Sequence, residues 1–420
     1  MQPETAALTQ LVAVLARLTP FDEVVVTRDA NRWIVAVEPD LVIDGSGDQA
    51  FAALDAIARS EPGWWAGFMA YDLGRSIEKV RPRMPTTRAE ELPDVRFARF
   101  PARLVIDGST GRASVHGRGR RRRQLHRILE RAARRSPGAI PYHLGEPRSS
   151  LDRDDFETRV GTIVDLIKAG DCYQVNLTRQ LTWEVPVNPD ALLRDLIIGN
   201  PSPHAMMARF GTRAVVSASP ERFLRKNGTR IETRPIKGTA AEGQWLLHSA
   251  KDRAENVMIV DLARNDLGRI CEPGSIHVPE LCALEAHPGL HHLVSTIRGH
   301  LRPEIALSDV IRATFPPASV TGAPKPRVMQ AIEDLEPVRR GAYCGAMGWI
   351  DTSLNEMDLS VAIRTFTTHG ERLALGVGAG IVVDSDPGSE WRETELKAAH
   401  LLAAAGCNAI PEVTTTGVAR

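Results

Sequence analysis

Apolar positions recur along this chain with two distinct periods. Phe156, Val160, Ile163, Val164 and Ile167 follow the spacing of one helix face, and Gly170 supplies the left-handed residue at which such a helix stops. The next stretch, CYQVNLTRQLTWEV, alternates instead: Tyr173, Val175 and Leu177 face one way, Gln174, Asn176 and Thr178 the other. That predicts a strand whose second face is unusually polar. Strand-like runs return at AMMARF, RAVVSAS, GAMGWID and RLALGVGAGIVVD, interleaved with helical patterns near 190 and over 250–267, 305–314, 326–336 and 389–405. The opening MQPETAALTQLVAVLARLTP reads as an amphipathic helix. Mixed strand and helix order without strict alternation or repeats favours α+β layering over a doubly wound parallel sheet.

Between residues 110 and 150 the composition shifts to Gly, Arg and Ser, as at a boundary between two parts. The arginine run there leads into QLHRILERAAR, where Leu125, Ile128, Leu129 and Ala132 share a helical face. The arginines fall on the outer face, either as solvated charge or as a patch for RNA or another acidic partner. Over the whole chain 52 Lys and Arg balance 52 Asp and Glu, so no net field draws it to nucleic acid or a membrane. Apolar residues at 43% and charged residues at 25% suit a globular enzyme, and 420 residues suffice for a large core. Cys172, Cys271, Cys282, Cys344 and Cys407 are scattered without C-x-x-C pairing, which points away from zinc and disulfides and toward a reducing cytoplasm. No uncharged apolar run approaches the roughly 20 residues of a membrane span.

Three local patterns carry possible chemistry. Asp252 and Glu255 lie three apart in SAKDRAENVMIVDLARND, emerging on one helix face while Val257, Met258 and Leu262 can be buried. Glu390 and Glu393 repeat the device in SEWRETELKAAHLL, with Lys397 one turn further along. Such pairs are either solvated or, if two helices converge, an oxygen-rich cage for magnesium. In RIETRPIKGTAAEG, Pro235 and Gly238 flank Lys237, which predicts a lysine projecting from a glycine turn. It is a solvated charge unless burial or nearby cations free its amine to attack carbon. Glu221, in the turn SASPERFL, is a plain turn carboxylate or, with a raised pKa, a general acid.

Taken together, AGDCYQVNLTRQ, SPERFL, RPIKGT, DRAENVMIVDLARNDLGR, HHLVSTIRG, PPASVTGAPKPRVMQAIEDLEP, YCGAMGW and GVGAGIVVDSDPGSEWRETELK resemble the chorismate-utilising enzymes in order and spacing, over roughly residues 150–405. That family includes anthranilate synthase component I, the isochorismate and salicylate synthases, and the component I of aminodeoxychorismate synthases. WWAGFMAYDLGRSIE, and PIKGT around Lys237, look like the last branch. Gln174 stands where water-activating members carry a lysine base, and its amide cannot serve as one.

The resemblance implies one large α/β sandwich, with two facing β-sheets inside and helices outside. Residues 1–145 would be its shortened N-terminal part, 146–410 the chorismate-binding catalytic region and 411–420 a tail. It implies Mg²⁺ on the ring carboxylate of chorismate, bridged from Glu255 and Glu393 with Asp252 and Glu390 in support. Arg364 and Tyr343 would hold the enolpyruvyl carboxylate, backbone amides around Gly238, Thr239, Gly378 and Gly380 would complete the anion contacts, and Gln174, His292, Thr321 and Lys397 would line the pocket. Lys237 would be the nucleophile and Glu221 the acid in making 4-amino-4-deoxychorismate, a precursor of 4-aminobenzoate and folate. Ammonia would come from a separate glutamine amidotransferase subunit, because no cysteine here sits in a G-x-C-x-G pattern. Anthranilate synthase component I, with Lys237 a bystander, is the nearest alternative. A nucleic-acid-binding protein built around Gly117 to Arg135 is the remote one.

Overall fold

A computed structural model describes residues 3–83, 92–134, 142–240, 242–287 and 290–406; Cys407 and the expected tail 411–420 lie outside them. Among the described residues two large antiparallel sheets form. The first runs from Gly322–Ala323 through Gln174–Glu184, Arg372–Ile381, Thr365–His369, Arg213–Ser219, His204–Phe210, Glu23–Asp29, Arg32–Val37 and Ala102–Asp107 to Ala113–Gly117. The second runs from Ile236–Ala240 through Leu290–His300, Arg230–Arg234, Arg222–Asn227, Glu356–Val361, Ala346–Asp351, Trp64–Met69 and Val95–Arg99 to Leu41–Gly45. The mixed α+β expectation is met, as is the sandwich of two facing sheets.

Alternation along the strands explains the layers. Between the sheets, Val25, Ile34, Met206 and Val215 meet Trp64, Phe68, Met347 and Trp349. On the far side of the first sheet, Leu181, Leu373 and Leu375 pack with Leu11, Leu125, Leu192 and Leu401 from the helices Pro3–Leu15, Gly119–Arg134, Pro189–Gly199 and Pro387–Ala404. On the far side of the second, Trp65, Phe97 and Leu359 pack with Phe51 and Leu54 of the helix Gln49–Arg59. Each such side chain contributes about 1.5–3 kcal/mol by leaving water. The segment before residue 145 supplies strands to both sheets: Glu23–Asp29 pairs with His204–Phe210, and Trp64–Met69 with Ala346–Asp351.

Most predicted helices appear within a residue or two. The Arg153–Lys168 helix is capped by Asp152, whose carboxylate accepts from Asp155 N, and is followed by Gly170 at φ +82°. In the Ala250–Gly268 helix the buried face differs from expectation. Asn256, Ile259, Val260, Ala263 and Leu267 are covered, while Val257 is exposed and Met258 and Leu262 are only half-buried. The face opposite the sheet is set by tertiary packing against Leu290–His300, which the apolar period alone does not fix. The arginine-rich helix buries Leu125, Ile128 and Ala132 and leaves Arg122, Arg123, Arg127 and Arg131 exposed.

Two of the places where the chain changes sheets are neighbours. Pro220 and Glu221 link Arg213–Ser219 of the first sheet to Arg222–Asn227 of the second. Ala362 to Arg364 lead back from Glu356–Val361 to Thr365–His369, with Arg364 at φ +51°. The two crossings are stitched together by Val361 N donating to Glu221 O at 3.0 Å and Ala218 N donating to Arg364 O at 3.0 Å.

Candidate active site

The floor of the site is the strand Arg372–Ile381. Leu373, Leu375, Val377, Ala379 and Ile381 are buried, and Gly376, Gly378 and Gly380 occupy the alternate positions. Each glycine leaves room for something else. A Cβ at Gly376 would lie 2.1 Å from the Tyr343 ring, and one at Gly378 would lie 2.7 Å from Thr178 Cγ2. A Cβ at Gly380 would lie 2.7 Å from Gln174 Nε2, 3.2 Å from Asn176 Oδ1 and 3.4 Å from Lys237 Nζ. Three polar tips therefore converge over one glycine.

Lys237 does not project from a turn, as its flanks predict. It sits in the edge strand Ile236–Ala240, paired opposite Leu293. Gly238, at φ +77°, shifts the register before Thr239 meets His292, so glycine makes a bulge inside a strand. Lys237 is 12% exposed, and its amine lies 3.7 Å from Glu255 Oε2. Burial lowers its pKa, helped by Lys397, while Glu255, Glu221 and Glu393 oppose the shift.

Glu221 is buried, at 4% exposure, at the crossing from Arg213–Ser219 to Arg222–Asn227. Burial raises its carboxyl to about 7, against hydrogen bonds from Ser319 and the Ile236 amide and the nearby Lys237 charge. A buried acid and a buried amine of opposed shifts thus share one site, an arrangement suited to proton transfer. Gln174 is fully buried, and both atoms of its amide lack a protein hydrogen-bond partner among the described residues. A ligand in the site would meet that unsatisfied group, whose isolation costs about 1–3 kcal/mol. Arg364 is half-buried with its pKa lowered by burial, and no carboxylate among the described residues offsets its charge.

The four carboxylates of the two helices approach one another but do not form a closed cage. Among the described residues no group of three or more acidic, histidine or cysteine side chains is gathered closely enough to hold a metal unaided. Lysines stand between them instead. Lys251 lies 4.0 Å from Glu255, Lys397 Nζ lies 2.6 Å from Glu393 and 3.0 Å from Gly378 O, and Ser385 donates to Glu390 at 2.7 Å. Lys237 and Lys251 both bear on Glu393, which ties the two helices into one electrostatic cluster. Lys397 holds the Glu393 carboxyl down, whereas burial of Glu390 pushes its carboxyl up. Asp252 packs under Gly238, whose added Cβ would lie 3.1 Å from its Cγ. An all-oxygen donor set of this kind fits a hard divalent ion that takes further oxygens from substrate and water.

His292 is buried beside the lysine strand. Thr321 is buried too, and its hydroxyl donates to Pro317 O at 2.9 Å. Sequence reasoning passed over four contributors. Asn176 points at Gly380 and donates to Ser319 O at 3.3 Å; its place on the polar face of a predicted strand was the available signal. Ser319 is the partner of Glu221. Arg340 and Glu336, almost wholly buried and 2.7 Å apart, form a clamp: Arg340 donates to Val320 O and Asn176 O, and Thr178 N donates to Glu336. Nothing local marks the role of the last two, because it is set by distant backbone groups: carbonyls for Arg340 and the Thr178 N–H for Glu336.

Comparison with known proteins bears on this geometry. Residues 24–403 match the model of the chorismate binding enzyme family. Aminodeoxychorismate synthase component 1 of Klebsiella aerogenes is 38% identical over 347 residues, covering 80% of this chain and 76% of that protein. Anthranilate synthase component 1 of Neisseria meningitidis is 37% identical over 369 residues, covering 82% and 74%. The crystal structure of anthranilate synthase component I from Streptococcus pneumoniae superposes with a TM-score of 0.78 at 31% identity, covering 89% of this chain and 92% of that one.

Proposed function

This chain belongs to the chorismate-binding enzyme family, and from that premise we propose that it is the ammonia-using subunit that converts chorismate to 4-amino-4-deoxychorismate. The observation that carries the choice of branch is the Lys237 amine, buried and aimed with Gln174 and Asn176 over Gly380. A bystander lysine would gain nothing from a burial that leaves its amine readier to lose a proton despite the carboxylates nearby.

Replacing the 4-hydroxyl by nitrogen on the same face is easiest as two displacements across the conjugated diene. The Lys237 amine adds at C2 while the C4–O bond breaks, and the Glu221 carboxyl gives its proton to the departing oxygen, which leaves as water. Ammonia then bonds C4 and the C2–N bond to Lys237 breaks. The proton shed by the new amine returns to the Glu221 carboxylate, so acid and nucleophile are both restored. Arg364 and Tyr343 are assigned to the enolpyruvyl carboxylate, with Arg364 the charge left unmatched for it. Backbone amides near Gly238, Thr239, Gly378 and Gly380 approach the ring because glycine permits it.

Glu255 and Glu393, supported by Asp252 and Glu390, are the residues we assign to Mg²⁺, which when bound would draw electrons from the ring through its carboxylate. Glu255 and Glu393 also pair with the amines of Lys237 and Lys397, so they would share their charge between those amines and the ion. A Glu255 carboxylate engaged in this way would hold the Lys237 proton less strongly, which favours the neutral amine.

Product analysis tests the assignment. Chorismate, Mg²⁺ and ammonium should give an amino product that keeps its pyruvyl arm; anthranilate with released pyruvate would place the chain in the neighbouring branch. A component 1 implies a glutamine amidotransferase partner, so purified chain alone should use ammonium and not glutamine; equal use of both would remove the need for a second subunit.

A further inference from the structure

Glu390 and Glu393 can serve a metal only if the helix Pro387–Ala404 is turned to present them, and their own face of that helix does little to fix the turn. The Glu393–Lys397 pair lies within the one helix and is about half exposed, so it holds the two side chains to each other and not to the sheet. Lys397 does reach Gly378 O at 3.0 Å, but through a long and flexible stem.

The neighbouring face is gripped by one residue that the mechanism above leaves unused. Arg179 lies on the strand Gln174–Glu184, directly after Thr178, and pairs across from Val377 of the glycine strand. Its side chain is 2% exposed. Nε donates to Thr394 Oγ1 at 3.1 Å, Nη1 donates to Ser149 Oγ at 3.1 Å, and Nη2 donates to the Glu395 carboxylate. The guanidinium also lies over the Trp391 ring at 4.0 Å, and Phe156 meets that ring edge-on at 5.6 Å. Trp391, Thr394 and Glu395 stand roughly 100° around the helix from Glu390, Glu393 and Lys397.

We propose that Arg179 is a positioning residue: it sets the rotation of the Pro387–Ala404 helix against the glycine strand, and with it the place of Glu390 and Glu393 opposite Glu255. The proposal rests on the reading that these carboxylates hold Mg²⁺. Side-chain tips lie about 5–6 Å from a helix axis, so a turn of about 10° moves a carboxylate by about 1 Å. Magnesium demands near-ideal octahedral geometry and does not follow such a shift. A planar guanidinium bonded along three directions and stacked on an aromatic ring resists the turn; a lysine ammonium, a point charge on a flexible stem, does not.

The test measures the metal itself in the full-length chain. Mg²⁺ binding is followed by equilibrium dialysis with chorismate present and ammonia withheld, and unfolding midpoints are recorded beside it. Arg179→Lys keeps the charge and loses the fork and the stacking. Glu395→Gln keeps the shape and weakens one anchor, and it carries the test if Arg179→Lys folds poorly. Both should weaken Mg²⁺ binding, Arg179→Lys by about tenfold or more, the scale on which groups that orient metal ligands act. At saturating Mg²⁺ the rate of adduct formation at Lys237 should return to near that of the wild type. Leu401→Ala, which opens the packing of the same helix nearer its C-terminal end, should lower the unfolding midpoint and leave Mg²⁺ affinity unchanged. Wild-type Mg²⁺ affinity in Arg179→Lys or, where that variant does not fold, in Glu395→Gln overturns the proposal. So does an equal loss in Leu401→Ala, because any loosening of the helix would then suffice. A wild-type chain that binds no Mg²⁺ would instead defeat the metal assignment, which is a distinguishable failure.

Discussion

At the scale of single residues, Lys237 and Glu221 are tuned toward each other by burial. Burial favours the neutral form of both: it makes the amine readier to lose its proton and holds the acid protonated up to about 7. For Glu221 the folded value lies above the ordinary 4.5, so its stabilising contribution is complete below 4.5 and is lost as pH rises through about 7. The same titration should shape the chemistry. Adduct formation measured without ammonia is expected to follow a bell in pH, with a falling limb near 7 that disappears in Glu221→Gln. That variant should slow the step by about 10²–10⁴-fold, the usual worth of a positioned acid, in stopped-flow or quenched assays. The residues themselves were legible, since PIKGT and SPERFL single them out. Their surroundings were not, because Glu221 owes its burial to a crossing between sheets that no local pattern announces.

At the scale of elements, the glycine strand is the part of the site that sequence states most directly. GVGAG alternates glycine with apolar residues, and the structure uses the first set as floor and the second as core. Gly380→Ala should therefore act on the site more than on the fold. Its Cβ meets the movable end of the Gln174 side chain, so thermal stability should change little while KM for chorismate rises. Gly376→Ala should do the reverse: its Cβ falls on the Tyr343 ring, and overpacking costs about 1–3 kcal/mol, readable as a lowered denaturant midpoint. Thermal and chemical unfolding beside steady-state kinetics would check both. The lysine strand was misread as a turn because Pro235 and Gly238 are turn residues by habit, and long-range pairing with Leu290–His300 overrides that habit.

At the scale of the whole molecule, the two sheets make the site by exchanging chain. Glu221 and Arg364 both lie where it passes from one sheet to the other, and the Arg340–Glu336 clamp fixes the strand bearing Gln174 and Asn176 to the segment bearing Ser319 and Thr321. Arg340→Ala would leave a buried carboxylate without its partner and should cost about 3–5 kcal/mol of stability. Removal of divalent ions should abolish both adduct and turnover, with Mg²⁺ restoring them. Fold class and sandwich were readable from period, order and resemblance. The interleaving of the first 145 residues with the rest was not, because strand partners separated by well over a hundred residues leave no trace in local spacing. The central claim remains the bond between an edge-strand amine and a substrate carbon. Intact and peptide mass spectrometry of the chain after exposure to chorismate and Mg²⁺, ammonia withheld, should find chorismate less one water attached at Lys237. An unmodified Lys237 in a preparation that aminates chorismate at full rate once ammonium is added would contradict it.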